Sequence, residues 1–519
     1  LERRNFLMNL VFGVLSFFLG FISSKGAITS FYKMDWFKVI EKDQDSKVDK
    51  IKDLYTHHSG VSLESYRHLV LNIGTSKEDW EPALKMAIKD IKLLGGGDVF
   101  FPFGRKRITK EVYISSNVRF MGVGEGSEIW TDVPMINLIV SEVNAVGCEV
   151  IGLKLTGSGF GNQPVNSSVN QNVTNTGSGI IFRGVSKGVI KNCFISNHGG
   201  DRSTSNKNGV AGIWLTYGCE DCFIVENHVT NCRNGINEDN YFYRDAKNNT
   251  IQSNYVSNCI FGIATENDNG KGCKILNNTV KFCTYGAVDV NRSSYVLIQG
   301  NVFEGNGLTG ETGIFAATIT CYGSSSIRQK HVSIEGNLFI DSHGFGVKIA
   351  QNNYNSTVNQ NKICGGLNRG GVLVQGARFY SICNNQIVGC NGSGIYANEI
   401  SVNGKSLPVD GCDISNNLIT SCTENGIYLN KSGKMTVSKN RITDCGTKAD
   451  NTYNGIVFTN GTSNGVIDGN IVDGAKLRYG IVGLDSRSVN NTVSNNIVIT
   501  IPMIAKYGFD GKQYESNNN

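Results

Sequence analysis

The sequence predicts an all-β chain wound as a single-stranded right-handed parallel β-helix, a solenoid closed at its N-terminal end by a capping helix. Three observations predict it. An Asn followed two residues later by an apolar residue recurs at Asn192, Asn227, Asn254, Asn278, Asn301, Asn337, Asn361, Asn385, Asn417, Asn440, Asn470 and Asn496, never closer than 23 residues apart. A Gly followed by an apolar residue comes 7 to 12 residues after most of these asparagines, as at Gly235-Ile236, Gly262-Ile263, Gly286-Ala287, Gly313-Ile314, Gly346-Val347 and Gly426-Ile427. The cysteines keep step: Cys232, Cys259, Cys283, Cys390, Cys422 and Cys445 each lie five residues after a marking Asn, and Cys222, Cys273 and Cys412 five before one. A period in the low twenties with two or three short strands per unit is one solenoid coil. The Leu pattern and helical segments of leucine-rich repeats are missing.

Taken in order, the elements begin with a basic cluster, Arg3-Arg4-Asn5-Phe6-Leu7, ahead of an apolar run from Leu10 to Ile22. The run is short and interrupted by Gly and Ser, so residues 1–30 read as a twin-arginine-like export signal or an anchor to a membrane or virion rather than a membrane span. Residues 31–68 are polar and charged and read as a linker or stalk. Leu69-Val70-Leu71-Asn72-Ile73 reads as a short strand. Asp79 reads as the N-cap of a helix that starts Trp80-Glu81-Pro82, with Pro just inside. Ala83, Leu84, Ala87, Ile88, Ile91 and Leu94 follow at helical spacing, and Gly95-Gly96-Gly97 ends the helix. An amphipathic helix here covers the open end of a β-stack, which otherwise exposes unpaired backbone. The coils then run to about residue 500, leaving 501–519 as a tail.

Parallel coils stack about 4.8 Å apart, so equivalent residues form ladders. Asn suits a ladder because its amide bonds both to a tight turn and to the next Asn. Cys is small and readily buried, so the 15 cysteines read as free thiols packed in the core, not as disulfides. Cys219-x-x-Cys222 has the spacing of a metal or redox half-site, but the ladder accounts for Cys222 and no second pair exists. With 18% charged and 40% apolar residues the chain has material for a core. Its net charge of +5 has no repeating Lys/Arg cluster behind it, which speaks against a nucleic-acid partner.

The stretch from about 69 to 130 resembles the opening of pectate-lyase-superfamily proteins. The residues that carry the likeness are Asp79-Trp80-Glu81-Pro82-Ala83-Leu84, Gly95-Gly96-Gly97-Asp98-Val99-Phe100-Phe101-Pro102 and Asn117-Val118-Arg119-Phe120-Met121-Gly122-Val123-Gly124. With the later coils, the resemblance covers roughly residues 69–500. The layout is also similar to phage tailspike depolymerases, which implies a polysaccharide substrate, a homotrimer and a place outside the cytoplasm, secreted or on a virion tail. Three features depart from the pattern. The usual Gly-Asp-Gly and double-Asp run is reduced to Gly74 through Asp79, no recognisable trimerisation or carbohydrate-binding domain follows residue 500, and the export-like start is odd on a virion protein.

A stacked sheet offers a long outer groove suited to a polymer. If the residue after each marking Gly points inward, the second outward position holds Thr216, Asp239, Glu266, Val290, Ala317, Ala350 and Gln375. Asp239 and Glu266 then stand on adjacent coils, with backbones about 5 Å apart. Two carboxyl groups about 5 Å apart suit a retaining glycosidase, and their mutual repulsion separates their pKa values into an acid and a base or nucleophile. Glu238 and Asp289 fall where neighbouring coils place Leu215, Ala316, Ile349 and Val374, an inward position that is costly for a carboxylate without a partner, so either the strand ends early and turns the acid outward or the site is functional. The catalytic candidates are therefore Asp239, Glu266, Glu238 and Asp289. Trp214, Tyr217 and Tyr241 are candidate sugar platforms. Asp268, Arg244, Arg292 and Lys348 are further candidate contacts, the three cations suiting an acidic sugar. Insertions at His198 to Asn208 and Tyr241 to Lys247 are expected to wall the groove, and His343 reads as a turn residue.

Each of these has a plainer alternative: acids at strand ends are commonly solvated turn residues, and Trp214 equally suits packing under a loop. Three functions compete. The first is a glycoside hydrolase acting on a capsular or exopolysaccharide through paired carboxylates, with no cofactor. The second is a polysaccharide lyase or uronate epimerase, which needs a proton-abstracting base and a neutralising cation, often Ca²⁺. The third is a non-catalytic adhesin or fibre that uses the β-helix as a spacer. Beyond the lone Cys219/Cys222 half-site, the sequence shows no spacing characteristic of a metal site.

Overall fold

The chain is a parallel β-helix in a computed structural model that describes residues 60–73, 77–134, 136–158, 177–199, 210–239, 245–266, 271–307, 317–324, 327–366, 369–499 and 504–506. Two long parallel sheets dominate, one of 15 strands and one of 29. Each typical coil gives one strand to the smaller sheet and two short strands to the larger, as in Thr250–Gln252, Tyr255–Ser257 and Phe261–Glu266.

The marking asparagines sit at the bend between the two short strands. Asn361 is typical. Its Oδ1 accepts from the backbone N–H and the Nδ2 of Asn337, at 3.0 and 2.9 Å. Its Nδ2 donates to the Ile334 carbonyl at 2.8 Å and to Asn385 Oδ1 at 3.0 Å. The same bonds recur from Asn227 to Asn496 and satisfy polar groups that are buried at the bend. The preceding residue takes a left-handed φ, as Gln360 does at 55° and Asn384 at 59°, which turns the chain sharply enough to begin the next strand.

Inside the coils, one inward row runs Ile213, Ile236, Ile263, Val288, Ile319, Val347, Val372, Ile395, Ile427, Ile456 and Ile481. β-branched residues fit a pleated surface, and each stacks on its like in the next coil. All 15 cysteines are free thiols, and all but Cys364 and Cys383 are buried. Burial pushes the thiols of Cys219 and Cys273 well above the ordinary range, which suits thiols packed as apolar groups.

The cap is the helix Glu81–Leu93, which buries Ala83, Leu84, Ala87, Ile88 and Ile91 against the first coils. Asp79 caps it from one residue further out than expected: Trp80 is the N-cap position, and the Glu81 N–H donates to Asp79 Oδ1 at 3.1 Å. Two boundaries shift. Gly60–Ser62 pairs in parallel with Gly97–Phe100, so residues 60–68 belong to the stack and not to a linker; they carry no repeat mark because a short turn of 3₁₀ helix, Leu63–Leu69, interrupts the coil. Leu71–Ile73 is a strand, but it pairs antiparallel with Lys77–Asp79. At the other end Ile504–Lys506 pairs with Tyr479–Gly483 inside the stretch read as a tail. The expected export or anchor segment, 1–30, lies outside the described residues. Among those residues no helix is long and apolar enough to cross a membrane.

Candidate active site on the outer face of the 15-stranded sheet

Parallel pairing fixes which side chains share a row. One outward row of the 15-stranded sheet runs Ile181, Trp214, Asn237, Ala264, Asp289, Thr320, Lys348, Leu373, Tyr396, Tyr428 and Val457. The second outward row begins Arg183, Thr216, and Asp239 then pairs directly with Glu266 as the sequence pattern predicts. The next occupants are Asn291 and Tyr322, not Val290 and Ala317. The marking glycine slips by one residue here: Gly286 pairs with Phe261, so Ala287 stands where Gly262 stood. A one-residue slip exchanges the two faces of a strand. Val290 therefore points inward, while Asp289, expected to point inward, belongs to the outward row. Ala317 opens the next strand, paired with Phe345.

Asp239 is held by its neighbours. Trp214 Nε1 donates to Oδ2 at 2.7 Å, Thr216 Oγ1 to Oδ1 at 2.6 Å and Asn237 Nδ2 to Oδ2 at 3.3 Å. Donors converging on both oxygens suit an acceptor carboxylate. Glu266 differs: burial, and then the negative charge of Asp239, push its pKa up to about 7, against a smaller opposing pull from Arg292. Arg292 forms a β-bridge with Glu266 and its Nε donates to Asn291 Oδ1 at 3.1 Å. Asp289 is 3% exposed, and burial with the charge of Glu266 holds its carboxyl well above the usual range. The Tyr322 hydroxyl is raised by burial and by the same two acids. Lys348 lies two strands beyond Asp289, with Thr320 between them, and burial followed by the charge of Arg369 lowers its pKa to about 8. One face thus brings together an acceptor carboxylate, two carboxyl groups whose pKa values burial raises, and an amine whose pKa burial lowers.

Other expected site residues fall elsewhere. Glu238 faces the core in register with Leu215 and Thr265; it is 1% exposed, accepts from Asn249 Nδ2 at 2.6 Å, and burial raises its pKa. An inward carboxyl group cannot meet a polymer on the outer surface, so Glu238 leaves the catalytic set. Trp214 is 1% exposed, packs with Val140, Ile181 and Ala211 and donates to Asp239, so its ring is covered and is not an open sugar platform. Tyr217 is half-buried in the turn after its strand, with φ 61°. His343 is likewise a turn residue, its N–H donating to the Asn306 carbonyl at 3.0 Å. Tyr241, Arg244 and Asp268 lie outside the described residues, as do most of both expected wall insertions. Tyr322, Thr320 and the tyrosines Tyr396 and Tyr428 went unnoticed in the sequence. Setting Ile319 on Val288, in place of the Gly313 mark, is what brings Tyr322 into the row. Among the described residues no three His, Cys, Asp or Glu side chains converge as metal ligands.

The comparisons agree with this architecture. A family model described as "Right handed beta helix region" matches residues 136–303, 261–417 and 367–519. No curated protein sequence matches the chain. Among solved structures, the N-terminal fragment of bacteriophage phi29 gene product 12 superposes with a TM-score of 0.58 at 16% identity, over 90% of this chain and 75% of that one. The A-module of a mannuronan C-5 epimerase from Azotobacter vinelandii gives 0.48 at 15%, over 84% and 98%. A surface adhesin of Streptococcus pneumoniae gives 0.46 at 16%, over 86% and 93%. At these identities the likeness is one of fold, a fold that carbohydrate-active enzymes, phage appendage proteins and adhesins share.

Proposed function

We propose that this chain, which belongs to the right-handed β-helix family, is a polysaccharide-degrading enzyme that hydrolyses a bacterial capsular or exopolysaccharide outside the cytoplasm. The observation that carries the reading is the Asp239–Glu266 pair: two acids in register on adjacent strands, in environments that separate their roles. Glu266, with its pKa near 7, gives a proton to the leaving glycosidic oxygen. Asp239, held by Trp214 and Thr216, faces the anomeric carbon as nucleophile, since side chains one strand spacing of about 4.8 Å apart favour the close geometry of retention. Burial and the negative charge of Asp239 keep the Glu266 proton in place towards neutral pH. Arg292 moderates that pKa. The tailspike-like layout supports a polymer substrate held along the coils.

A second reading rests on Lys348. A buried amine with its pKa lowered to about 8 is suited to abstract the proton beside a uronate carboxyl group, which would make the protein a lyase or an epimerase. The experiment is reducing-end release with ultraviolet absorbance read in parallel, on purified capsular polysaccharides, for wild type, Asp239→Asn, Glu266→Gln and Lys348→Met. Reducing ends without absorbance, lost in both acid variants, is the expected result. A new absorbing double bond that disappears in Lys348→Met favours the lyase. Cleavage that survives in all three variants places the chemistry elsewhere, and no cleavage of any polymer favours a binding or adhesive role.

A further inference from the structure

Further along the same outer face, the row that carries Asp289 and Lys348 changes character. Tyr396 and Tyr428 are register partners on the strands Ile395–Asn398 and Ile427–Asn430. Their rings stack at 5.0 Å between centroids, tilted by only 16°, and both are half-buried. The next residue in the row is Val457, so the aromatic stack ends and the surface steps down. A cavity of about 610 Å³ opens over this step, lined by both tyrosines, Val457, Asn454, Leu484 and Arg369 among others. Asn454 is 5% exposed, and its Oδ1 has no hydrogen-bond partner, although its backbone N–H is satisfied by Asn425 Oδ1 at 2.8 Å. A buried amide oxygen without a donor is costly, and a ligand hydroxyl is the group that removes the cost.

We propose that this cavity is a non-catalytic subsite that holds a pyranose unit of an oligosaccharide, with the sugar ring against Tyr428 and a sugar hydroxyl donating to Asn454 Oδ1. An apolar ring face beside convergent amides and a guanidinium is the composition of a site that takes a flat, hydroxyl-rich ligand. Its position deepens the function proposed above and rests on it for the identity of the polymer. From Asp289 to Tyr396 the sheet advances four strands, about 19 Å, so one extended chain spans both places. Leu373 and Thr320 lie between them in the same row, and Lys348 supplies a cation on the way.

The test uses the full chain carrying Glu266→Gln, so that binding is read without turnover. Saturation-transfer NMR and calorimetry are run with four hexasaccharides: malto-, cello-, galacturonate and mannuronate oligomers. The expected result is binding of at least one of them, with saturation passing from tyrosine ring protons to the sugar. Asn454→Ala and Tyr428→Ala are each expected to weaken affinity about tenfold. Leu484→Trp, an exposed rim change that leaves the core untouched, is expected to do the same by filling the hollow, and it keeps the test sound if Tyr428→Ala misfolds. Tyr295→Ala, an exposed aromatic elsewhere on the coils, is expected to change nothing. Binding that ignores all three cavity variants, or no binding of any of the four, overturns the subsite. Cleavage by the Glu266-intact chain with unaltered binding in the cavity variants sinks the subsite alone. Cavity-dependent binding by a chain that cleaves nothing sinks the hydrolase alone.

Discussion

The asparagine corner and the outer face of the 15-stranded sheet are built from the same coils, yet one repeats and the other does not. From Asn227 to Asn496 the corner places an Asn in coil after coil, with the same pair of bonds to the next. From Trp214 to Lys348 the outward row runs Trp214, Asn237, Ala264, Asp289, Thr320, Lys348, with no two neighbours alike, and like stacks on like further along, at Tyr396 and Tyr428. Laddering is what a buried bend needs, because each amide satisfies the one beside it. A row whose residues change at every step gains nothing from stacking like on like. It places unlike groups at fixed spacing, which is what a reaction needs. The two regions should therefore fail in opposite ways.

The largest expected effect is on the face. Glu266→Gln keeps the shape and removes the transferable proton, so cleavage should fall by about 10³-fold, with the melting temperature at or above that of the wild type. A loss of folding in this variant would mean that the face, too, is structural. Next comes the corner. Asn361→Ala removes four ladder bonds and strands the Ile334 carbonyl and the Asn337 N–H in the interior. Chemical denaturation should show a loss of about 3 kcal/mol, while the molecules that remain folded cleave at the normal rate. A slowed reaction at unchanged stability would break the comparison from the other side.

The sequence made the corner far easier to read than the face, and the reason is physical. A ladder shows itself by repetition, so Asn254, Asn278 and Asn301 betray the coil, and Cys232, Cys259 and Cys283 fall in with them. The inward isoleucines follow once the coil is known. The Asp239–Glu266 pairing was legible because both strands carry the Gly mark at the same place. The Asp289 strand carries it one residue early, and that slip hid Asp289 from the outward row; Tyr322 was hidden by its own strand, where Thr318 and not Gly313 stands in the place of the marking Gly. Burial was the other gap. Sequence spacing says which face Trp214 is on but not that Val140, Ile181 and Ala211 pack around it. The tyrosine shelf was missed because a cavity arises where a large residue is followed by a small one in space, at Tyr428 and Val457, which are 29 residues apart in the chain.

A smaller effect sharpens what holds the face in place. Trp214→Phe keeps most of the packing and removes the indole N–H that donates to Asp239 Oδ2 at 2.7 Å. One hydrogen bond to a carboxylate is worth about 1.5–3 kcal/mol. If that bond positions Asp239 for the transition state, kcat should fall about tenfold with KM unchanged, and Thr216→Val should act in the same direction through Oδ1. A change confined to KM would assign Trp214 to substrate binding after all.

The smallest effect is also the most diagnostic, because its sign depends on which group works. A general acid is active only while protonated, so with Glu266 at about 7 the rate should drop by about half between pH 6 and pH 7 and continue to fall above it. A base at Lys348 predicts the opposite limb, a rate that rises as pH climbs through about 8. The same raised carboxyl predicts a stability that is full below the ordinary glutamate value of 4.5 and is lost as pH rises through about 7. Arg292 separates the two kinds of limb. Its charge lowers the Glu266 pKa, so Arg292→Met should move an acid limb to higher pH and extend activity towards the alkaline side. A limb set by Lys348 should stay where it was, since the cation that lowers that amine is Arg369. Measured together, the direction of the limb and its response to Arg292→Met identify which proton is moved during cleavage.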